Sequence, residues 1–91
     1  VAVVSIDSRN ELSRTVLIVP FTSDLRGGET PTRVLIPGGE GGLESDSLAV
    51  CEQIITVQKT YLEQGPYGHI SADVLARIQR AIQVSIGIYE L

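Results

Sequence analysis

The sequence predicts a small α+β domain in which several short strands precede one amphipathic helix. Apolar, β-branched runs of strand length recur over residues 1–57, and polar connections rich in glycine separate them. Residues 71–91 instead repeat apolar side chains at the 3.6-residue spacing of a helix. A chain of 91 residues is expected to form a single domain, residues 1–91, with a modest core. We expect a strongly bent sheet or a small barrel with the helix at one end.

The composition excludes several classes of protein. With 43% hydrophobic and 20% charged residues the chain is globular, and no apolar run approaches the roughly 20 residues of a membrane helix. Residues 1–6 lack the basic leader of a signal peptide, so a cytoplasmic location is expected. Cys51 is the single cysteine and His69 the single histidine, so neither a disulfide nor a zinc site, and no cofactor, is predicted. Cys51 is expected to be a buried small hydrophobe.

The net charge of −4 argues against a general nucleic-acid binder. Residues 1–36 are neutral overall, whereas residues 37–70 carry the whole excess of acidic groups. Any contact with a polyanion should therefore favour the N-terminal half. The acidic middle would exclude RNA, meet a basic partner or serve only as solvated surface.

Two apolar runs predict the first two strands. Residues 1–6, VAVVSI, form the first, and because it begins at the first residue we expect a segment upstream of it. The polar, turn-rich residues 7–14 are too short for a crossover helix, so residues 16–21, VLIVPF, should be an antiparallel neighbour. Pro20 is tolerated near a strand end, so the strand should be ending as Thr22 arrives.

Thr22 and Ser23 follow this strand directly, with Asp24 and Arg26 close behind. Functional side chains are often held on loops at the ends of rigid strands, which favours a site here. Alternatively the two hydroxyls make side-chain turns that close the strand.

The middle of the chain predicts a third and a fourth strand. Residues 32–36, TRVLI, end at a proline, after a flexible loop at 24–31. GGEGG at 38–42 is predicted to be a hairpin loop, because no GK[ST] or helix pattern follows it as in a phosphate loop. Residues 47–57 form a long strand whose alternation is broken at Glu52 and Gln53. These two side chains either cross a bulge into solvent or read base edges in a cleft.

Residues 71–91 predict the C-terminal helix, after a connector at 58–68 with room for one helical turn. Ser71 is the expected N-cap, and the pattern drifts after Val84, so helix to the terminus and an extended tail both remain open. His69 is expected to be structural or exposed. The predicted apolar stripe comprises Val74, Leu75, Ile78, Ala81, Ile82 and Ile86, and the polar face Arg77, Arg80 and Gln83.

The following stretches occur in order along the chain: VAVVSID with Asn10, VLIVPFTS, a charged loop, RVLIP, DSLAVCEQI and an Ile-rich helical tail. Together they resemble the MazF/PemK toxins of bacterial type II toxin–antitoxin systems. The resemblance covers essentially the whole chain. It implies an SH3-like, CcdB-like small antiparallel β-barrel with a C-terminal amphipathic helix, assembled as a homodimer. It also implies a growth inhibitor that cleaves single-stranded mRNA at short sequences without a metal and is neutralised by a cognate MazE-like antitoxin.

The resemblance also implies roles for individual residues. Thr22 matches the family's active-site threonine, and Ser23 matches the small polar residue that supports it. Glu52 and Gln53 match a pair implicated in base recognition, and Asn10 is expected to contact RNA.

The family's principal catalytic arginine belongs to an Arg-Pro dipeptide that would precede Val1, so the family's N-terminal strand and loop are expected to be missing here. Arg26 is the nearest substitute in sequence, and we expect feeble or no RNA cleavage by this chain. The rival interpretations are a crippled toxin that still dimerises and binds antitoxin, and a CcdB-like poison of gyrase.

Overall fold

The computed structural model describes residues 1–5, 7–62 and 68–88, which form two three-stranded antiparallel sheets and a long C-terminal helix. This confirms the small antiparallel α+β fold that the sequence predicts. The first sheet has the order β1-β2-β6 and the second the order β3-β5-β4. The strands are β1 (Ala2–Val3), β2 (Thr15–Val19), β3 (Phe21–Thr22), β4 (Arg33–Ile36), β5 (Ser47–Val50) and β6 (Ile55–Gln58), and the helices are α1 (Asp7–Leu12) and α2 (Ala72–Ser85).

Two bends carry the chain from one sheet to the other. Pro20 separates β2 from β3, because a proline has no N–H to donate to a continuing ladder. Its carbonyl accepts a 2.9 Å bond from the Val50 amide. A 3₁₀ turn at Cys51–Gln53 separates β5 from β6 in the same way. The predicted continuous strands at 16–21 and 47–57 were therefore wrong in extent, since each divides between the two sheets.

The N-terminal segment differs from the prediction in two respects. Strand β1 is shorter than the predicted 1–6, although its antiparallel pairing with β2 is confirmed. The predicted turn-rich residues 7–14 contain helix α1. Hydrogen bonds within the segment stabilise this short helix, since Asn10 Nδ2 donates to the Ser5 carbonyl at 2.9 Å. Residue 6 lies outside the described residues.

Helix α2 begins as predicted, with the Ser71 hydroxyl accepting a bond from the Val74 amide at 3.2 Å. Its apolar side faces the core. Ile86 was wrongly assigned to the buried stripe, because the helix ends at Ser85 and Ile86 is 62% exposed. Gly87 follows with φ at +84°, a backbone conformation that ends helices. The predicted choice between helix and extended tail over residues 89–91 falls outside the described residues.

The core lies between the two sheets and α2. Cys51 is fully buried and its Sγ donates to the Ala49 carbonyl at 3.6 Å, which confirms its prediction as a buried small hydrophobe. Burial raises the pKa of its thiol to about 11. The core cluster consists of Ala2, Val19, Val34, Ile36, Ala49, Cys51, Val74, Ile78 and Ala81.

The hairpin loop between β4 and β5 is confirmed, and it packs on the chain just before α2. It contains a 3₁₀ turn at Glu40–Gly42. The Glu40 carboxylate accepts a hydrogen bond from the Ser71 amide, and the backbone of Gly41 lies directly against Gly68. A third 3₁₀ turn, Lys59–Leu62, confirms the prediction of one helical turn after β6. Among the described residues, no helix is both long enough and apolar enough to cross a membrane.

Candidate functional site

Thr22 lies at the end of β3, where it pairs with Leu48 of β5. Its Oγ1 accepts a 3.2 Å hydrogen bond from the Asp24 amide, and Asp24 Oδ1 in turn accepts from the Arg26 amide at 3.1 Å. The side-chain turn that the sequence suggested is thus present. This bond uses only a lone pair of the Thr22 oxygen, so the hydroxyl proton can still be donated in a second hydrogen bond. Ser23 is exposed at the start of the loop.

Arg26 points its guanidinium at Asp24 of the same loop. Nε lies 2.9 and 3.1 Å from the two carboxylate oxygens, and Nη2 lies 2.7 Å from Oδ2. The hydrogen bond from Arg26 is the main reason that the pKa of Asp24 is lowered, and it raises the pKa of Arg26. The Arg26 side chain is 91% exposed, so water screens this pair and another anion can replace Asp24 at little cost.

Glu52 and Gln53 are both exposed in the 3₁₀ turn after β5. Arg33 holds the Glu52 carboxylate, since Nε and Nη2 donate to Oε2 at 3.0 and 2.8 Å. This bond is the largest cause of the lowered pKa of Glu52, with a further hydrogen bond from Thr32. Glu52 is therefore kept ionised as a pure hydrogen-bond acceptor.

Sequence reasoning missed Arg33. Its partner is 19 residues away along the chain, and only the register of the sheet brings them together. Arg33 pairs with Val50 across β4 and β5, two residues before Glu52. A charged residue at the start of a strand is an ordinary feature, so no local pattern marked it.

The structure brings some of the predicted residues together and leaves others apart. Thr22 pairs with Leu48 of β5, and Glu52 lies in the turn after β5. Residues 49–51 therefore separate the position of Thr22 from that of Glu52 along this strand and its turn. Asp24 and Arg33 are electrostatically coupled, because Arg33 contributes to the lowered pKa of Asp24.

Asn10 has a different environment on α1. Its amide donates to the Ser5 carbonyl at 2.9 Å and its Oδ1 accepts from the Ser5 hydroxyl. It borders a cavity of about 490 Å³ together with Leu75 and Gln79 of α2. Among the described residues no hydrogen bond connects Asn10 with Thr22 or Glu52.

A larger cavity of about 690 Å³ opens between β1, Phe21 and the Glu40–Gly42 turn. Its lining is mainly apolar, with His69 exposed at the side, as the sequence predicts for a surface residue. Across residues 1–5, 7–62 and 68–88, no three His, Cys, Asp or Glu side chains are grouped so that they could hold a metal ion.

The family model for the PemK-like, MazF-like toxins of type II toxin–antitoxin systems matches residues 1–86. The chain belongs to this family. Endoribonuclease EndoA of Bacillus subtilis is 28% identical over 90 residues, which are 99% of this chain and 77% of that protein. Endoribonuclease MazF of Staphylococcus saprophyticus is 28% identical over 91 residues, or 100% of this chain and 75% of the relative.

A solved structure shares the fold of this MazF-like chain. An endoribonuclease in complex with its cognate antitoxin, from a mycobacterial species, superposes with a TM-score of 0.79 at 23% identity. The match covers 98% of this chain and 81% of the solved one. The arrangement of small antiparallel sheets with a C-terminal helix is therefore the MazF toxin fold that the resemblance predicts.

Proposed function

We propose that this chain is a sequence-specific, metal-independent endoribonuclease toxin that cleaves single-stranded mRNA. The family match over residues 1–86 supports the toxin class, and the two curated relatives are named endoribonucleases. The solved structure of an endoribonuclease with its cognate antitoxin supports a MazE-like antitoxin as the neutralising partner here. Action on mRNA places the proposed toxin in the cytoplasm, and by resemblance to the family it acts as a homodimer.

The observation that carries this proposal is the position of Thr22. By the resemblance of VLIVPFTS to the family, we assign the active-site threonine to this residue, which lies at a strand end with its hydroxyl oriented by the Asp24 amide. Its O–H is free to donate to a phosphate oxygen, and the exposed Ser23 hydroxyl supports it. A neutral hydroxyl is a poor base, so Thr22 is assigned to hydrogen bonding rather than to proton abstraction.

Metal-free cleavage of RNA breaks the bond between phosphorus and the 5′-oxygen as the 2′-oxygen attacks. A base removes the 2′ proton, an acid protonates the departing 5′-oxygen, and donors stabilise the charge that develops on phosphate. The Arg26 guanidinium is assigned to this stabilisation, because its fork matches phosphate oxygens once it leaves Asp24. It has no partner other than Asp24 among its hydrogen bonds in the described part of the chain.

Recognition of the RNA sequence is assigned to Glu52 and Gln53. An ionised carboxylate accepts hydrogen bonds from base N–H groups, and an amide both donates and accepts, so the pair can read a base edge in single-stranded RNA. Both side chains are exposed and Glu52 is held by Arg33. Asn10 is assigned a further RNA contact from its place on α1.

The test is cleavage of a mixed-sequence single-stranded RNA by the purified 91-residue chain in the presence of a chelator. We expect weak cleavage at a short sequence, and loss of about a hundredfold in rate with Thr22→Ala, as for a removed transition-state donor. Thr56→Ala is the matched control, because Thr56 is exposed on β6. Strong specific cleavage that Thr22→Ala leaves intact would contradict both the site and the mechanism.

A second candidate is a toxin-like module that binds antitoxin without cleaving RNA. It requires that RNA does not displace Asp24 from Arg26, which is the cation nearest to Thr22 in sequence. It predicts saturable binding of an antitoxin peptide and no cleavage product above background. A gyrase supercoiling assay run beside these two would detect the CcdB-like alternative.

A further inference from the structure

The loop at residues 23–32 carries Arg26 and begins directly after Thr22. Strands β3 and β4 are both antiparallel to β5, which lies between them, so this loop runs back from the end of one to the start of the other. Most of its hydrogen bonds are local. The Gly28 amide, for example, donates to the Leu25 carbonyl at 3.0 Å, and the Asp24 amide donates to Thr22. Bonds of this kind shape the loop without fixing it to the rest of the protein.

At the end of the loop the Thr32 carbonyl accepts a 3.0 Å bond from the Cys51 amide. Nearer to Arg26, Glu29 contacts two other elements through its carboxylate. Oε1 accepts a 2.8 Å hydrogen bond from the Leu35 amide of β4. The same oxygen accepts from Nη2 of Arg77, which lies 48 residues further along the chain on α2. In the described part of the chain β5 is the one strand that pairs with β4, and on the other edge of β4 Arg33 forms an isolated bridge with Thr30. Glu29 satisfies the Leu35 amide on that same edge. One side chain therefore joins the loop to a strand and to the helix.

We propose that Glu29 is a positioning residue that fixes the loop carrying Arg26 next to Thr22, with Arg77 as its partner on α2. The proposal rests on the function proposed above and assigns Glu29 no contact with RNA. Stabilisation of the reacting phosphate requires that the Arg26 guanidinium and the Thr22 hydroxyl both donate hydrogen bonds to the same phosphate group. A displacement of about 1 Å in such an arrangement costs up to about a hundredfold in rate.

The contacts of Glu29 contribute little to overall stability. The side chains of Glu29 and Arg77 are 46% and 44% exposed, and ion pairs of this exposure are weakly stabilising. Variants of either residue should therefore fold. A loss of cleavage rate without a loss of the fold is what separates a positioning role from a purely structural one.

The kinetic test compares Glu29→Ala, Arg77→Met and the double variant on saturating RNA. We expect kcat to fall by about tenfold in Glu29→Ala with KM within about twofold of the parent, because only the reacting geometry is disturbed. Arg77→Met should show a smaller loss in the same direction. The double variant should be no slower than Glu29→Ala alone, because both changes break the same link.

Glu44→Ala is the matched control, because Glu44 is an equally acidic, exposed residue in the β4–β5 loop. Its kcat should equal that of the parent. Losses that multiply in the double variant, or an equal loss in Glu44→Ala, would overturn the proposal.

A second measurement does not depend on cleavage. Hydrogen exchange of the Asp24 and Arg26 amides, measured on the chain without RNA, should be about tenfold faster in Glu29→Ala and unchanged in Glu44→Ala. Unchanged exchange in Glu29→Ala would overturn the positioning role whether or not the chain cleaves RNA. If the parent chain fails to cleave RNA but exchange is faster in Glu29→Ala, the proposed function is wrong, while the role of Glu29 in holding the loop is supported.

Discussion

The ion pair of Arg33 with Glu52 orients a side chain to which we assign a role in RNA recognition. The two hydrogen bonds from Arg33 both end on Oε2, so the carboxylate is held from one side. Side chains that read bases work best when their orientation is set before the ligand arrives. Arg33 has this effect on Glu52 and adds to the hydrogen bond that Thr32 makes with the same carboxylate.

Replacement of Arg33 by methionine should make the fold slightly less stable at neutral pH. The folded pKa of Glu52 lies below its ordinary 4.5, so the pair stabilises the fold above pH 4.5. That contribution is lost as the pH falls through the lowered pKa. Urea unfolding should show a small deficit in stability for Arg33→Met near pH 7 that shrinks toward zero as the pH falls below the lowered pKa of Glu52. Arg14→Met is the control, and a deficit that persists unchanged in acid would contradict the assignment.

Among the elements, the Glu40–Gly42 turn and the start of α2 depend on each other. A Cβ added at Gly68 would lie 2.6 Å from the Gly41 carbonyl oxygen and 2.7 Å from the Gly42 nitrogen. Both neighbours are backbone atoms, so the turn itself would have to move. The turn also carries Glu40, which accepts the Ser71 hydrogen bond at the beginning of the helix.

Gly68→Ala should therefore destabilise the protein by about 1–3 kcal/mol, the usual cost of forcing atoms into a packed contact. Thermal unfolding followed by helical circular dichroism would measure this loss. Gly39→Ala distinguishes a steric cost from a backbone cost, because Gly39 has φ at +93° but open space around its Cβ position. It should lose only the roughly 1–2 kcal/mol of a left-handed backbone. Equal stability of Gly68→Ala and the parent would show that the turn can yield.

Local signals explain which elements the sequence could predict. Ser71 marks the start of α2 correctly, because an N-cap acts on an amide three residues away. The end of the helix was harder to predict from the sequence. Gly87 ends the helix and leaves Ile86 exposed, although Ile86 continues the apolar spacing. The broken alternation at Glu52 and Gln53 coincides with the turn that divides residues 47–57 into β5 and β6. Periodicity could not show that the two halves join different sheets.

The candidate site follows the same distinction. Thr22 could be singled out because the strand before it and the family resemblance both point to it. The link from Glu29 to Arg77 spans 48 residues, and the pair of Arg33 with Glu52 spans 19, so neither could be found without the fold. Sequence reasoning could therefore nominate the Thr22 hydroxyl, which stays a prediction, but it could not find the ion pairs of Glu29 and Glu52.

At the scale of the whole molecule, each sheet depends on the other through the same two bends. Strands β2 and β3 are separated only by Pro20, and β5 and β6 only by a short turn and Ile54. The proposed RNA-facing residues Thr22 and Glu52 lie at or next to these bends. Unfolding of either sheet should therefore remove both parts of the proposed site, and the domain is expected to unfold in one cooperative step.

Cys51 gives this cooperative unfolding a chemical reporter. It is the single cysteine in the chain, it has no exposed surface, and its thiol pKa of about 11 leaves almost no reactive thiolate at neutral pH. Alkylation followed by mass spectrometry should add one label only when the core opens. Labelling of Gly68→Ala should be faster than that of the parent, whereas Glu29→Ala should retain nearly the parent's protection. Labelling of the folded parent as fast as a free thiol would contradict the burial of Cys51.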